Sequence, residues 1–225
     1  MYPGHLPVRP LSRVLASAVA AVRSVRDPRR ATMVAKLGEL TGHYPLARLR
    51  DGMRACPEGA ALLARRPEIG AETLEAARAA PAGSLGAAYA AFMADHDFDP
   101  EARSGVSLVD DPELAYVMTR YRQVHDFWHV LAGLPPTVLG ELGLKCFEMV
   151  HLRLPVSALS ALAGPAALGA ADRRAYRQVY VPWAVRAARE AKPLMAVEYE
   201  ARLDADLGDV RRELRVRVAP PAVVR

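Results

Sequence analysis

The sequence predicts an all-α fold: one helical bundle over residues 1–225, with an N-terminal arm at 1–10 and a flexible tail at 217–225. Three observations carry this expectation. Apolar residues recur with the helical period along most of the chain. Alanine and scattered arginine supply strong helix formers. No alternating run suggests a strand ladder. At 225 residues one domain is the natural count, and 52% hydrophobic residues suffice for an independently folding core.

Leu11 to Arg26 reads as a first helix, with Leu11, Leu15, Ala18, Val19 and Val22 on one face. Asp27-Pro28 is a cap followed by a proline, and it starts a second helix that ends at Thr41-Gly42. Pro57, Pro67 and Gly70 break residues 52–80 into short helices. Ser84 caps a helix through Tyr89, Phe92 and Met93, and HDFDPEARSG at 96–105 is a polar loop. Asp110-Asp111-Pro112-Glu113 is the strongest start signal, read as an Asp110 cap with Glu113 three residues on. That helix runs through Tyr116, Arg120 and Val124 to Leu131, and Gly133 stops it. Thr137 opens a partner helix that ends before Pro155. Residues 154–170 carry no charge, and Gly164-Pro165 prevents one straight helix there. Asp172 to Lys192 is helical and kinked or divided near Pro182, and Leu194 to about Val216 is a last amphipathic helix.

The formal charge of +5 and pI of about 9.5 point to an anionic partner, although arginine alternates with acid over most of the chain. No basic stripe is interleaved with aromatics, so no nucleic acid is expected. Cys56 and Cys146 lie far apart in sequence, which suggests free thiols in a reducing compartment. The first 26 residues hold arginines and no acidic residue, a composition like a mitochondrial transit peptide, but with three prolines. No apolar run of roughly 18 residues predicts a membrane span.

HDFWHVLAGLPPTVLGE, residues 125–141, carries the chemistry. His125 and His129 differ by four and share a helix face, the spacing that lets two imidazoles reach one metal. Asp126 points about 100° away, to the flank of such a site or toward an imidazole it would orient. His129 lies about one turn before Gly133 and Glu141 about one turn after Thr137, so an antiparallel pair places them level, each roughly 6 Å from the turn. The expectation is therefore a metal site across a helix-turn-helix pair, with ligands His125, Asp126, His129 and Glu141. Glu148 falls on nearly the same face as Glu141, as a partner of the ligands or a further one. Two imidazoles and one or two carboxylates suit zinc, with iron or manganese open. The competing reading is a helix end whose histidines merely hydrogen-bond within a core.

At these residues the chain resembles the coenzyme Q biosynthesis protein 4 family, whose signature is HDxxH, eleven residues, then Glu. The likeness extends in order through YPGHLP at 2–7, SLG at 84–86, DDPELAYVMTRYRQVHD at 110–126, LGE at 139–141, GP at 164–165, PWA at 182–184 and REL at 212–214. The resemblance implies an all-helical protein, peripheral on the matrix face of the mitochondrial inner membrane, with zinc held by His125, Asp126, His129 and Glu141. It implies a carbon–carbon lyase acting on the polyprenylated 4-hydroxybenzoate-type head group, with hydroxylation at that ring carbon possible. It also implies organisation of a multi-subunit complex of coenzyme Q biosynthesis proteins. A non-catalytic lipid-binding scaffold with a structural metal is the alternative, and a homo-oligomer fits either. A hydrolase of the HExxH type, with Asp126 as base, is the third reading. Lys145, one turn after Glu141, is a candidate partner for the substrate carboxylate, although such a lysine ordinarily pairs with the glutamate four residues before it. Arg120 and Arg122 read as solvated or cap-paired. The 154–170 run and the first helix are candidates for a tail-binding or lipid surface, and Arg9, Arg13, Arg23, Arg26, Arg29 and Arg30 for an anionic leaflet.

Overall fold

The computed structural model describes residues 2–7 and 31–222. The predicted first helix, the start of the second at Asp27-Pro28 and the six N-terminal arginines lie outside the described residues. Within them the helices are α1 (Ala31–Thr41), α2 (His43–Arg54), α3 (Pro57–Arg65), α4 (Ala71–Ala79), α5 (Leu85–Asp95), α6 (Pro112–Ala132), α7 (Val138–His151), α8 (Pro155–Ala163), α9 (Ala170–Ala175), α10 (Val181–Glu190) and α11 (Leu207–Leu214). Among the described residues there is no strand, only an isolated bridge between Ser84 and Asp206.

α6 is the axis of the bundle. Leu114, Val117, Met118, Val124, Phe127 and Leu131 give it apolar side chains on more than one face, and all are buried. A helix apolar on several sides must be surrounded, and α2, α3, α5 and α7 surround it. Phe127 sits in an aromatic stack, 4.0 Å from Tyr89 and 5.1 Å from Tyr199 between ring centres. Such rings each contribute about 1.5–3 kcal/mol by leaving water. α7 packs in turn on α8 and α10, and α10 offers it small buried residues, Ala184, Ala187 and Ala188, beside Trp183.

Local signals set most helix ends. Ser84 Oγ accepts from the Ala87 N–H at 3.1 Å. Pro182 has no N–H to donate, and the turn before it, Tyr176–Tyr180, widens to a π-turn that divides α9 from α10. Cys56 and Cys146 are both free thiols.

Four expectations change. The cap of α6 is Asp111, not Asp110: its Oδ1 accepts from the Glu113 and Leu114 N–H groups at 2.8 and 3.2 Å. Asp110 instead meets His5 at 3.1 Å. With Pro112 holding the first helical position, the residue next to it takes the extended backbone a cap needs. The predicted last helix is two 3-10 turns, Leu194–Ala196 and Tyr199–Arg202, followed by α11. Tertiary bonds claim its backbone: Glu198 N–H goes to Glu58 Oε1 at 2.7 Å, and the Val197 and Leu203 carbonyls accept from Arg120 and the Gly86 N–H. Arg120 is neither solvated nor a cap partner. Its side chain is fully buried and grips Glu200 with two bonds of 2.8 and 2.7 Å. Arg122 bonds Glu39 at 2.7 Å, and Glu39 also accepts from the Ser107 and Leu108 N–H groups.

Both chain ends are tied where they are described. Tyr2 O–H donates to the Val109 carbonyl and Leu6 N–H to the Ser107 carbonyl, both at 2.7 Å. In the expected tail, Ala219 N–H donates to the Ala132 carbonyl at 2.7 Å, and the Arg217 carbonyl accepts from Trp183.

Arg120→Ala leaves Glu200 without its buried partner and is expected to lower the unfolding free energy by about 3–5 kcal/mol. Urea denaturation followed by circular dichroism checks this; a loss below about 1 kcal/mol would place the pair among ordinary surface bridges.

Candidate metal centre

The turn between α6 and α7 is built by glycine chemistry. Gly133 takes φ +66°, the left-handed conformation that ends a helix. Thr137 Oγ1 then caps α7 through the Gly140 N–H at 3.2 Å. Gly140 admits the Pro135 carbonyl against the first turn of α7: a Cβ there would stand 2.0 Å from that oxygen. The two helices therefore run antiparallel, and His129 and Glu141 come level, as their spacing predicts.

His125, His129 and Glu141 converge on one point. The two Nε2 atoms are 3.3 Å apart. Glu141 Oε1 lies 3.1 Å from His129 Nε2, and Oε2 lies 3.4 Å from His125 Nε2. The other nitrogen of each ring decides what this means. His129 Nδ1 faces the Leu134 carbonyl at 3.0 Å. A carbonyl only accepts, so Nδ1 carries the proton and the neutral ring presents a bare Nε2. His125 Nδ1 faces Glu148 Oε1 at 2.7 Å, and the same logic applies. Two Nε2 atoms, each bare when its ring is neutral, then confront a carboxylate at near-contact distances. That is repulsive unless a cation, a proton or a metal ion, lies among them, and the donor set is the one zinc takes.

Glu148 is the buried base of this arrangement. With no exposure, it accepts from Tyr121 O–H at 2.6 Å, Ser157 O–H at 2.8 Å and Lys145 at 2.9 Å as well as from His125. Burial alone would raise its pKa, but Lys145 and His125 outweigh that and hold it at about 2. For His125, burial and Lys145 push the imidazole pKa down. Glu148 and Glu141 more than compensate, leaving it at about 9. Burial pushes the Tyr121 phenol up to about 12. Lys145 pairs with Glu148, three residues on, rather than with Glu141, four residues before, because the fully buried carboxylate has the greater need of a counter-charge.

Asp126, the remaining predicted ligand, is not brought into the group. It lies round the helix from His125 and pairs with Arg103 at 2.6 Å. Sequence reasoning did not find Tyr121, Ser157 or Phe92. Tyr121 carried a signal, since it stands four residues before His125 on the same face. Ser157 carried none, sitting in the uncharged run. Phe92 stacks on His129 with ring centres 5.4 Å apart. Glu141 is the most open of the three converging side chains, 38% exposed, and His129 the most buried.

Comparison with known proteins places this geometry in a family context. A family model described as Coenzyme Q (ubiquinone) biosynthesis protein Coq4 matches residues 2–220. The chain is 42% identical over 227 residues to the Homo sapiens ubiquinone biosynthesis protein COQ4 homolog, mitochondrial, spanning 100% of this chain and 85% of that one. It is 39% identical over 226 residues to the mitochondrial coq4 protein of Schizosaccharomyces pombe, spanning 99% and 83%. A crystal structure of a Nostoc punctiforme protein assigned to ubiquinone biosynthesis superposes with a TM-score of 0.71, over 89% of this chain and 97% of that one. At 19% identity, that likeness is one of fold alone.

Zinc must displace the Nε2 proton that His125 holds with a pKa of about 9. Apparent zinc affinity is therefore expected to rise with pH, by about tenfold per unit for that one proton, and to level off above pH 9. Isothermal titration in buffers of different ionisation enthalpy reads the released proton directly. Gly140→Ala, which alters no ligand, is expected to cost about 1–3 kcal/mol of stability and to weaken zinc binding by misaligning Glu141, as measured by thermal unfolding and the same titration.

Proposed function

The chain belongs to the Coq4 family of coenzyme Q (ubiquinone) biosynthesis proteins, and on that premise we propose that it is a metal-dependent enzyme of that pathway. The reading assigns it loss of the carboxylate from a polyprenylated 4-hydroxybenzoate-type head group. One observation supports it most: two imidazoles whose Nδ1 atoms are held from behind turn their Nε2 atoms toward one carboxylate. Zinc is the first candidate, with iron or manganese also compatible with the donors.

His125, His129 and Glu141 would hold the ion. When bound, it supplies a Lewis acid that polarises a phenol or carboxylate oxygen of the head group. The chain's own residues do the rest. Leu134 and Glu148 keep the imidazoles from rotating. Phe92 covers one face of His129 and keeps water from it. Lys145, 18% exposed, brings a positive charge to the edge of the site that favours an anionic head group. As the bond to the carboxylate breaks, carbon dioxide leaves, and the electron pair left on the ring carbon takes a proton. Hydroxylation at the same carbon needs an added oxidant.

The family setting extends the proposal to other coenzyme Q biosynthesis proteins as partners in a complex, and to a peripheral position on the matrix side of the mitochondrial inner membrane. The curated relatives are named mitochondrial, and no helix among the described residues is long and apolar enough to cross a membrane. On α8, Leu162 is 76% exposed, and the reading takes the uncharged 154–170 run as its candidate place for a prenyl tail or lipid. That exposed leucine also favours the second reading, a lipid-binding scaffold with a structural metal.

Reconstitution with the prenylated acid and defined metals, following carbon dioxide and ring product together, separates the two readings. The enzyme reading expects Glu141→Ala to lose at least about 100-fold in turnover. Full-rate decarboxylation by that variant would end it. Loss of complex assembly with turnover absent even from the metal-loaded parent would favour the scaffold.

A further inference from the structure

Asp126 sits inside the metal motif, yet its carboxylate is engaged elsewhere. We propose that Asp126 is a positioning residue: it anchors the loop that packs behind Phe92, the ring beside His129, and leaves ligation to His125, His129 and Glu141. The inference rests on the metal reading above and assigns Asp126 a different task within it.

The geometry is specific. Asp126 Oδ2 accepts from Arg103 Nη2 at 2.6 Å, and both side chains are largely buried, 16% and 18% exposed. Both terminal nitrogens of Arg103 are engaged. Its Nη1 donates to the Ile69 and Pro100 carbonyls at 3.1 and 3.2 Å, and Nη2 also reaches Tyr89 O–H at 3.3 Å. One guanidinium therefore joins α6, the α3–α4 connection and the 96–103 loop. Glu101 from the same loop accepts from the Ala71 N–H at 2.9 Å and reinforces the second junction.

The loop matters because of what its other end carries. Phe98 N–H donates to the Met93 carbonyl at 2.9 Å, which brings the loop back over the end of α5. There Phe98 and His96 pack on Phe92, 5.9 and 4.8 Å between ring centres, and Phe92 lies flat on His129. An aromatic cover thus runs from a metal-facing imidazole to the loop, and the far side of the loop is pinned to α6 by Arg103 and Asp126. The residue after His125 is well placed for this. It faces about 100° from the ligand row, toward α5 and the loop. A rigid wall fixed to the helix that bears the ligands keeps both in one frame.

The test compares Asp126→Asn, Arg103→Gln and Glu141→Gln in the full chain, by zinc titration and by hydrogen exchange of the 96–103 amides. Asp126→Asn and Arg103→Gln are expected to keep zinc affinity within about threefold of the parent, whereas Glu141→Gln loses more than about 100-fold. Both anchor variants are expected to speed loop exchange by about tenfold or more, and Glu141→Gln is not. Pairing Asp126→Arg with Arg103→Asp should restore slow exchange, which a metal ligand could not do. Loss of zinc in Asp126→Asn but not in Arg103→Gln overturns the proposal, as does unchanged loop exchange in both. A parent chain that binds no zinc refutes the metal reading instead, and the loop exchange then still decides whether Asp126 is the anchor.

Discussion

A carboxylate with no access to water must be paired, and Glu148 is that carboxylate. Its partners come from three helices: Tyr121 and His125 from α6, Lys145 from α7 and Ser157 from α8. Losing the charged partner Lys145 would leave a buried carboxylate short of its counter-charge, at a cost of several kcal/mol. The pairing therefore fixes the relative position of the three helices more tightly than apolar contact alone, because hydrogen bonds are directional. It also decides chemistry. By accepting a hydrogen bond from the Nδ1–H of His125, Glu148 makes Nε2 the nitrogen of that ring that faces Glu141.

The second imidazole is set by backbone rather than by charge. The chain leaves α6 through left-handed Gly133, and Leu134 folds back so that its carbonyl receives His129 Nδ1. The same turn packs the Pro135 carbonyl against Gly140, one residue before Glu141. One short connection thus selects a tautomer and delivers the facing carboxylate. Two unrelated devices, a buried charge and a tight turn, impose the same condition on two rings, and this convergence makes a metal-binding reading stronger than the HxxxH spacing by itself. Family membership adds a pathway to that geometry.

Much of this was legible residue by residue. The helical period, Ser84, Gly133, Thr137 and Pro182 placed their helix boundaries because each acts within one turn of the backbone. His125, His129 and Glu141 were legible because helix geometry converts sequence spacing into height along an axis. Arg120 was misread because an arginine looks alike in sequence whether it meets water or Glu200, eighty residues away. The last segment was misread for a similar reason: its apolar period was real, but Glu58, Arg120 and Gly86 took its backbone groups.

The sequence by itself determined the all-α class, the hairpin and the levelness of its ligands, since those follow from local dihedral preferences and a fixed rise per residue. Only the tertiary structure decided which nitrogen of each histidine faces Glu141, that Lys145 serves Glu148, and that Asp126 turns to Arg103. Those outcomes depend on which distant group arrives within about 3 Å, where hydrogen bonds form, and spacing along one helix carries no information about the neighbour that packs beside it.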